Sequence, residues 1–151
     1  MKLPILLLKE LPADYKGRPF YEDVFKRMAR SIAALQLPDG LWRASLLDPQ
    51  SYPRAESTDS ALFTFALAYG IDAGLLSREE LEPVMKKAWA GLNAICLRPD
   101  HRIGWAEGSV ARPIKNYNQD SSSLIAAGAY LLAGSEVIQA SSAAKTNGPH
   151  R

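Results

Sequence analysis

Residues Glu56-Ser57-Thr58-Asp59-Ser60-Ala61-Leu62-Phe63-Thr64-Phe65-Ala66-Leu67-Ala68-Tyr69-Gly70 decide the fold. The stretch opens on small or acidic polar residues, the types that cap helix N-termini. It then turns apolar almost all the way round. Leu62, Phe65, Ala66 and Tyr69 form one stripe at i, i+3, i+4 and i+7, while Phe63 and Leu67 form another. A helix that is apolar on most faces is covered on most faces. The stretch therefore predicts an inner helix, ended by Gly70 as its C-cap, whose polar N-terminus alone is free for chemistry.

The flanking segments read as its walls. Before it, residues 2–11 form a helix stopped by Pro12, and Phe20 to Gln36 forms an amphipathic outer helix entered through Pro19. Phe25, Met28, Ile32 and Leu35 share one face of that helix. Pro38-Asp39-Gly40 breaks it, Leu41 to Leu46 is a short extended segment, and Asp48 to Arg54 is a loop. After the inner helix, Ser77-Arg78-Glu79-Glu80 is a capping-box pattern. A second outer helix follows through Leu81, Met85, Ala88, Trp89, Leu92 and Cys96, with Pro83 expected to start or kink it. Arg98 to Asn118 is irregular, and Asp120 to Gln139 is a second helix apolar nearly all round. The expected organisation is one domain over 1–140 and a disordered tail over 141–151.

The order is outer, inner, outer, inner, and it repeats. Trp42 and Trp105 are 63 positions apart, and at that offset Ser57-Thr58-Asp59-Ser60 falls on Asp120-Ser121-Ser122-Ser123. Helical hairpins repeated in this way build a solenoid or a closed α/α toroid, and buried second helices favour the toroid. The fold class is thus all-α, with two hairpins and a leading helix making about half of an α/α barrel. An open arc leaves apolar edges, so the chain is expected to self-associate or to meet a separate N-terminal half.

Composition excludes several classes. With 18 basic and 16 acidic residues the net charge is +2, which makes no case for nucleic acid or an anionic membrane. Leu3 to Leu8 is too short to span a bilayer, and Lys9-Glu10 follow it with no small-x-small cleavage site. Cys96 is the single cysteine, so no internal disulfide forms and a reducing, cytoplasmic setting is expected. No metal or cofactor is implied: His101 and His150 lack metal-ligand company.

Four segments carry a resemblance. Gly40-Leu41-Trp42, Glu56 to Phe63, Gly70 to Leu76 and Gly128 to Glu136 resemble, in order and spacing, the C-terminal half of glycoside hydrolase families 105 and 88. These are unsaturated rhamnogalacturonyl and unsaturated glucuronyl hydrolases. The resemblance implies a six-hairpin α/α barrel. It also implies removal of an unsaturated uronic acid from lyase-made pectin or glycosaminoglycan oligosaccharides, by hydration of the C4=C5 double bond. The family's acid-base aspartate lies in its N-terminal half and matches nothing here, so no catalytic residue is carried over and the chain alone is expected to be inactive. Asp59 stands where the family usually has a small residue, Phe65 where it has Tyr, and Tyr130 where it has Phe. These departures bear on substrate subclass rather than on fold.

Candidate substrate-binding residues follow from position. Trp42 and Trp105, in loops at the mouth of the expected barrel, offer aromatic faces to a sugar. Glu56, Ser57 and Ser60 sit at the inner helix N-terminus, where capping is the competing role. Tyr117 lies in the polar-aromatic run Asn116 to Gln119. Asp48 and Asp59 are further acids, although a paired-carboxylate glycosidase needs a defined separation. Two other classes compete. Gln36-Leu37-Pro38-Asp39-Gly40-Leu41-Trp42 matches the Q-x-x-D-G-x-W pattern of terpene cyclases, which are also α/α barrels, but no D-x-D-D motif accompanies it. The other is a non-catalytic helical-repeat module that binds carbohydrate or protein.

Overall fold

The computed structural model of the chain describes residues 2–108 and 113–146. Five helices follow one another: α1 (Lys2–Glu10), α2 (Arg18–Ala34), α3 (Ser57–Asp72), α4 (Arg78–Gly91) and α5 (Leu124–Thr146). A single π-helical turn, Leu92–Cys96, extends α4. Among the described residues there is no strand, only isolated bridges at Arg43–Ala55 and Leu97–Ile103. α3 packs against α5, α4, α1 and α2, so it is the central inner helix. Its Ala61, Phe65, Ala66, Leu67 and Ala68 are all buried, as its all-round apolar pattern requires.

Lys9 ties α1, α3 and α5 together. Its Nζ lies 2.6 Å from the Glu136 carboxylate on α5. The same ammonium sits 4.8 Å from the Tyr69 ring centroid and 5.5 Å from that of Phe65, both on α3. Glu136 is buried, so this pairing is what allows a carboxylate inside an apolar helix. The Leu124–Ser142 window of α5 is long and apolar enough to cross a membrane by composition. Its contact with α3 and its ion-paired Glu136 match an inner helix instead.

The Gln-to-Trp motif is a structural clamp. Gln36 Nε2 donates to Gly40 O at 3.0 Å and to Val84 O at 2.9 Å, stitching the loop onto α4. Asp39 accepts from the Leu41 amide at 3.0 Å and pairs with Arg43 at 2.7 Å. Gly40 has φ +86, and a Cβ there would meet Lys87 O at 2.3 Å, so only glycine fits.

Several boundaries differ from expectation, including α2, which spans Arg18–Ala34 rather than Phe20 to Gln36. α3 does not end at Gly70 but runs to Asp72. Gly74, at φ +67, is the terminating residue: its amide donates to Ile71 O at 3.2 Å and that of Leu75 to Gly70 O at 2.9 Å, a Schellman closure. Gly70 is needed for space instead, since a Cβ would lie 2.5 Å from Leu76 Cδ1 and 2.8 Å from Phe25 Cε1. Gly70→Ala is therefore expected to lower the urea-unfolding free energy by about 1–3 kcal/mol, whereas alanine elsewhere in a helix outperforms glycine. Pro83 neither starts nor ends α4, which begins at Arg78 under a Ser77 cap and continues past the proline. α5 starts at Leu124, one turn later than the 63-residue offset requires, because Ser123 Oγ caps it by accepting from the Ala126 amide at 3.0 Å. α5 also continues through Ser141 to Thr146, so the first part of the expected tail is helical, and 147–151 lie outside the described residues.

Residues one repeat offset apart also meet at the centre of the arc. Arg54 and Tyr117, 63 positions apart, bond to each other twice: Arg54 Nη1 to Tyr117 O, and Tyr117 Oη to Arg54 O at 3.2 Å. The outer face of α5 has no neighbour among the described residues. Leu124, Ile125, Leu131 and Ile138 are 93%, 58%, 70% and 68% exposed. This is the open edge that an arc of hairpins must have.

Candidate functional site

The polar ends of α3 and α5 meet a returning loop and enclose a cleft of about 250 Å³ lined by Glu56, Thr58, Asp59, Glu107, Gly108, Ser123 and Ile125. Glu56 organises it. The carboxylate caps α3, accepting from the amides of Thr58 at 3.1 Å and of Asp59, and it also accepts from the Glu107 amide at 3.2 Å. One buried side chain thus holds both the helix end and the loop that faces it. Burial pushes its pKa up to about 7, and the nearby Asp59 charge adds to the rise, against the pull of the three amide bonds. Glu107 in turn accepts from the Ile114 amide, which carries the loop onward. The result is three carboxyl groups around a small opening at the N-terminal ends of two inner helices. Carboxylates accept hydrogen bonds from hydroxyl groups, so the arrangement suits a polyhydroxylated ligand.

The candidate residues separate clearly. Trp42 does not present a face to solvent: it is wholly buried, its Nε1 donates to Ile32 O at 2.8 Å, and its ring meets Phe63 edge-on at 5.3 Å. A Trp following a conformationally special glycine in a loop packs inward because its large apolar area does so. Ser60 is buried too, and its Oγ accepts from the Trp42 amide at 3.0 Å, so it positions the loop rather than a ligand. Ser57 is buried with its Oγ unpartnered, and its amide donates to Trp105 O at 3.0 Å. Trp105 is half-buried at φ +59, a conformation that bulky residues rarely adopt. Its ring does not line the cleft. Tyr117 is buried and lines a separate cavity with Tyr52. Of the candidates, Glu56 and the further acid Asp59 reach the acidic cleft.

The remaining acids and histidines fall apart from one another. Asp48 accepts from the Ser51 amide in an exposed turn and does not line the cleft. His101 occupies the tight turn between Leu97 and Ile103 at φ +65. His150 lies outside the described residues. No group of three metal-ligating side chains occurs among the described residues. Glu107 was missed because nothing local marks it: it follows Trp105 in an irregular stretch, and only its amide bond to Glu56 across 51 positions brings it in.

An arc of helical hairpins with buried inner helices is the architecture of part of an α/α barrel. The chain belongs to glycosyl hydrolase family 88, whose model matches residues 1–141. It is 48% identical over 134 residues to an unsaturated 3S-rhamnoglycuronyl hydrolase of Formosa agariphila, covering 89% of this chain and 35% of that protein. It is 32% identical to an unsaturated 3S-rhamnoglycuronyl hydrolase of an Alteromonas species, covering 88% of this chain and 32% of that one. A family 88 glycosyl hydrolase structure from Bacteroides vulgatus superposes at TM-score 0.86 with 37% identity, over 91% of this chain and 40% of that one. The chain therefore spans about a third of the length of these curated relatives, and the arc is part of an (α/α)6 barrel.

Proposed function

We propose that the chain forms the C-terminal part of an unsaturated uronyl hydrolase, acting on lyase-generated oligosaccharides that end in an unsaturated uronic acid, with the α3–α5 cleft contacting sugar hydroxyls. The observation that carries the reading is the trio Glu56, Asp59 and Glu107 gathered at the inner-helix N-termini. The names of the relatives favour a rhamnose-linked uronyl unit over a glycosaminoglycan. The terpene-cyclase alternative loses its support, since Gln36 and Asp39 are spent on loop bonds. The catalytic aspartate comes from elsewhere in the barrel, and the exposed apolar face of α5, with Leu131 and Ile138, is where further hairpins or a second copy pack. Cys96 is buried with its thiol pushed up to about 12 by burial, so it is an inert core residue.

The test uses an unsaturated glucuronyl-rhamnose 3-sulfate disaccharide, following loss of the double-bond ultraviolet absorbance. The pure chain is expected to give no turnover. A mixture with the separately produced part of the Formosa agariphila relative that this chain does not cover is expected to restore it. Turnover by the pure chain would overturn this division of labour. A binding module without catalysis predicts sugar binding and no turnover in either sample.

A further inference from the structure

A second cavity, of about 210 Å³, is lined by Tyr52, Pro53, Arg54, Ile114, Lys115 and Tyr117. Its chemistry is opposite to that of the first. The lining holds two cations, two tyrosines and no carboxylate. Among the described residues neither Arg54 nor Lys115 takes part in an ion pair. The two spaces abut, because Glu107 of the acidic cleft accepts from the amide of Ile114 of this one. An acidic cleft and a basic cavity therefore adjoin each other.

We propose that this cavity binds one anionic sugar unit, a pyranose carrying a carboxylate or a sulfate. The volume is below that of ordinary small-molecule pockets, about 300–1,000 Å³, and so suits one ring rather than an oligosaccharide. Half-buried Tyr52 supplies apolar ring surface for the C–H side of a sugar and a hydroxyl tip for its polar side, while buried Tyr117 forms the wall behind it. Arg54 supplies a planar fork matched to a carboxylate or sulfate. Its side chain is anchored by Nη1 donating to Tyr117 O, while Tyr117 Oη donates to the Arg54 backbone O at 3.2 Å and fixes the main chain beside it. A donor fixed in this way loses little freedom on binding. Lys115 Nζ lies over the Tyr52 ring, 5.0 Å from its centroid, so the ammonium is held beside the aromatic wall of the cavity and a sugar meets the ring's other face or edge. Exposed cations on a loop are ordinarily solvated and idle. What sets these apart is the shared cavity, the clamp on Arg54 and the separation of sign from the neighbouring cleft. The proposal deepens the hydrolase reading by placing the charged group of the substrate in the basic cavity and its hydroxyls in the acidic cleft.

The experiment measures binding rather than turnover, so its failure is distinct from failure of the hydrolase reading. Rhamnose 3-sulfate, methyl glucuronide, neutral methyl rhamnoside and inorganic sulfate are each titrated into the chain by NMR, following amide shifts. At least one anionic sugar is expected to shift residues around Tyr52, Lys115 and Tyr117 and to bind at least tenfold more tightly than neutral rhamnoside. Which of the two does so identifies sulfate or carboxylate as the ligand group. Affinity should weaken with added salt. Lys115→Ala and Tyr52→Ala are each expected to weaken binding fivefold or more with an unchanged thermal midpoint, while Arg27→Ala on the far face leaves it unchanged. Equal binding of neutral and charged sugars, inorganic sulfate binding as tightly as the sugars, or indifference to Lys115→Ala would each overturn the proposal.

Discussion

Trp42→Ala is expected to lower the unfolding free energy by about 3–5 kcal/mol, the usual range for removing a buried Trp or Phe. The ring is wholly buried in the loop between α2 and α3, where a stacking platform for a sugar would be exposed. Three interactions fail together: the edge-on contact with Phe63 at 5.3 Å, the indole bond to Ile32 O at 2.8 Å, and the packing that keeps the Trp42 amide 3.0 Å from Ser60 Oγ. Trp42→Phe separates these. It retains most of the apolar area but loses the indole bond to Ile32 O, which still accepts from the Leu35 amide at 3.0 Å, for an expected loss of about 0.5–1.5 kcal/mol. Urea denaturation of the three proteins measures both steps. A midpoint that barely moves on Trp42→Ala would place the ring outside the core and return it to the list of ligand-facing residues.

Glu56 is expected to make stability fall as pH rises through the weakly acidic range. Its folded-state pKa of about 7 lies above the unfolded value of 4.5, so the fold favours the protonated carboxyl. The stabilising contribution is therefore complete below pH 4.5 and is lost as pH rises towards 7. The full swing is at most about 3 kcal/mol. Glu56→Gln cannot ionise, so the difference in unfolding free energy between wild type and variant should slope across that window and be flat above it. Comparing Glu with Gln at each pH cancels titration elsewhere in the chain. Parallel curves would mean that the three amides keep Glu56 ionised throughout. The consequence for the site is that the link from α3 to the Glu107 loop is made by a group that changes charge near neutrality.

Much of the architecture was legible because helix periodicity is a local property. The apolar faces of residues 57–72 alone imply burial on most sides, and the Ser77 cap and the Pro19 entry mark helix starts. The errors at Gly70 and at the start of α5 share one cause. A glycine serves either to end a helix or to admit a close neighbour, and a serine run offers several caps. Which role applies depends on partners distant in sequence, here Leu76 and Phe25 around Gly70.

The site was legible only in part. The sequence by itself determined an all-α chain of repeated hairpins, an inner helix with a polar acidic N-terminus, and the position of Glu56 at that end. Those follow from residue type and spacing along one helix. The tertiary structure decided that Trp42 and Ser60 belong to the core, that Glu107 joins Glu56 across 51 positions, and that Arg54 and Tyr117 clamp each other to shape a basic cavity. The physical reason is that a loop has no period. Its side chains are sorted into core, cleft or cavity by which helix ends it crosses, and that is fixed only when α3, α4 and α5 have packed.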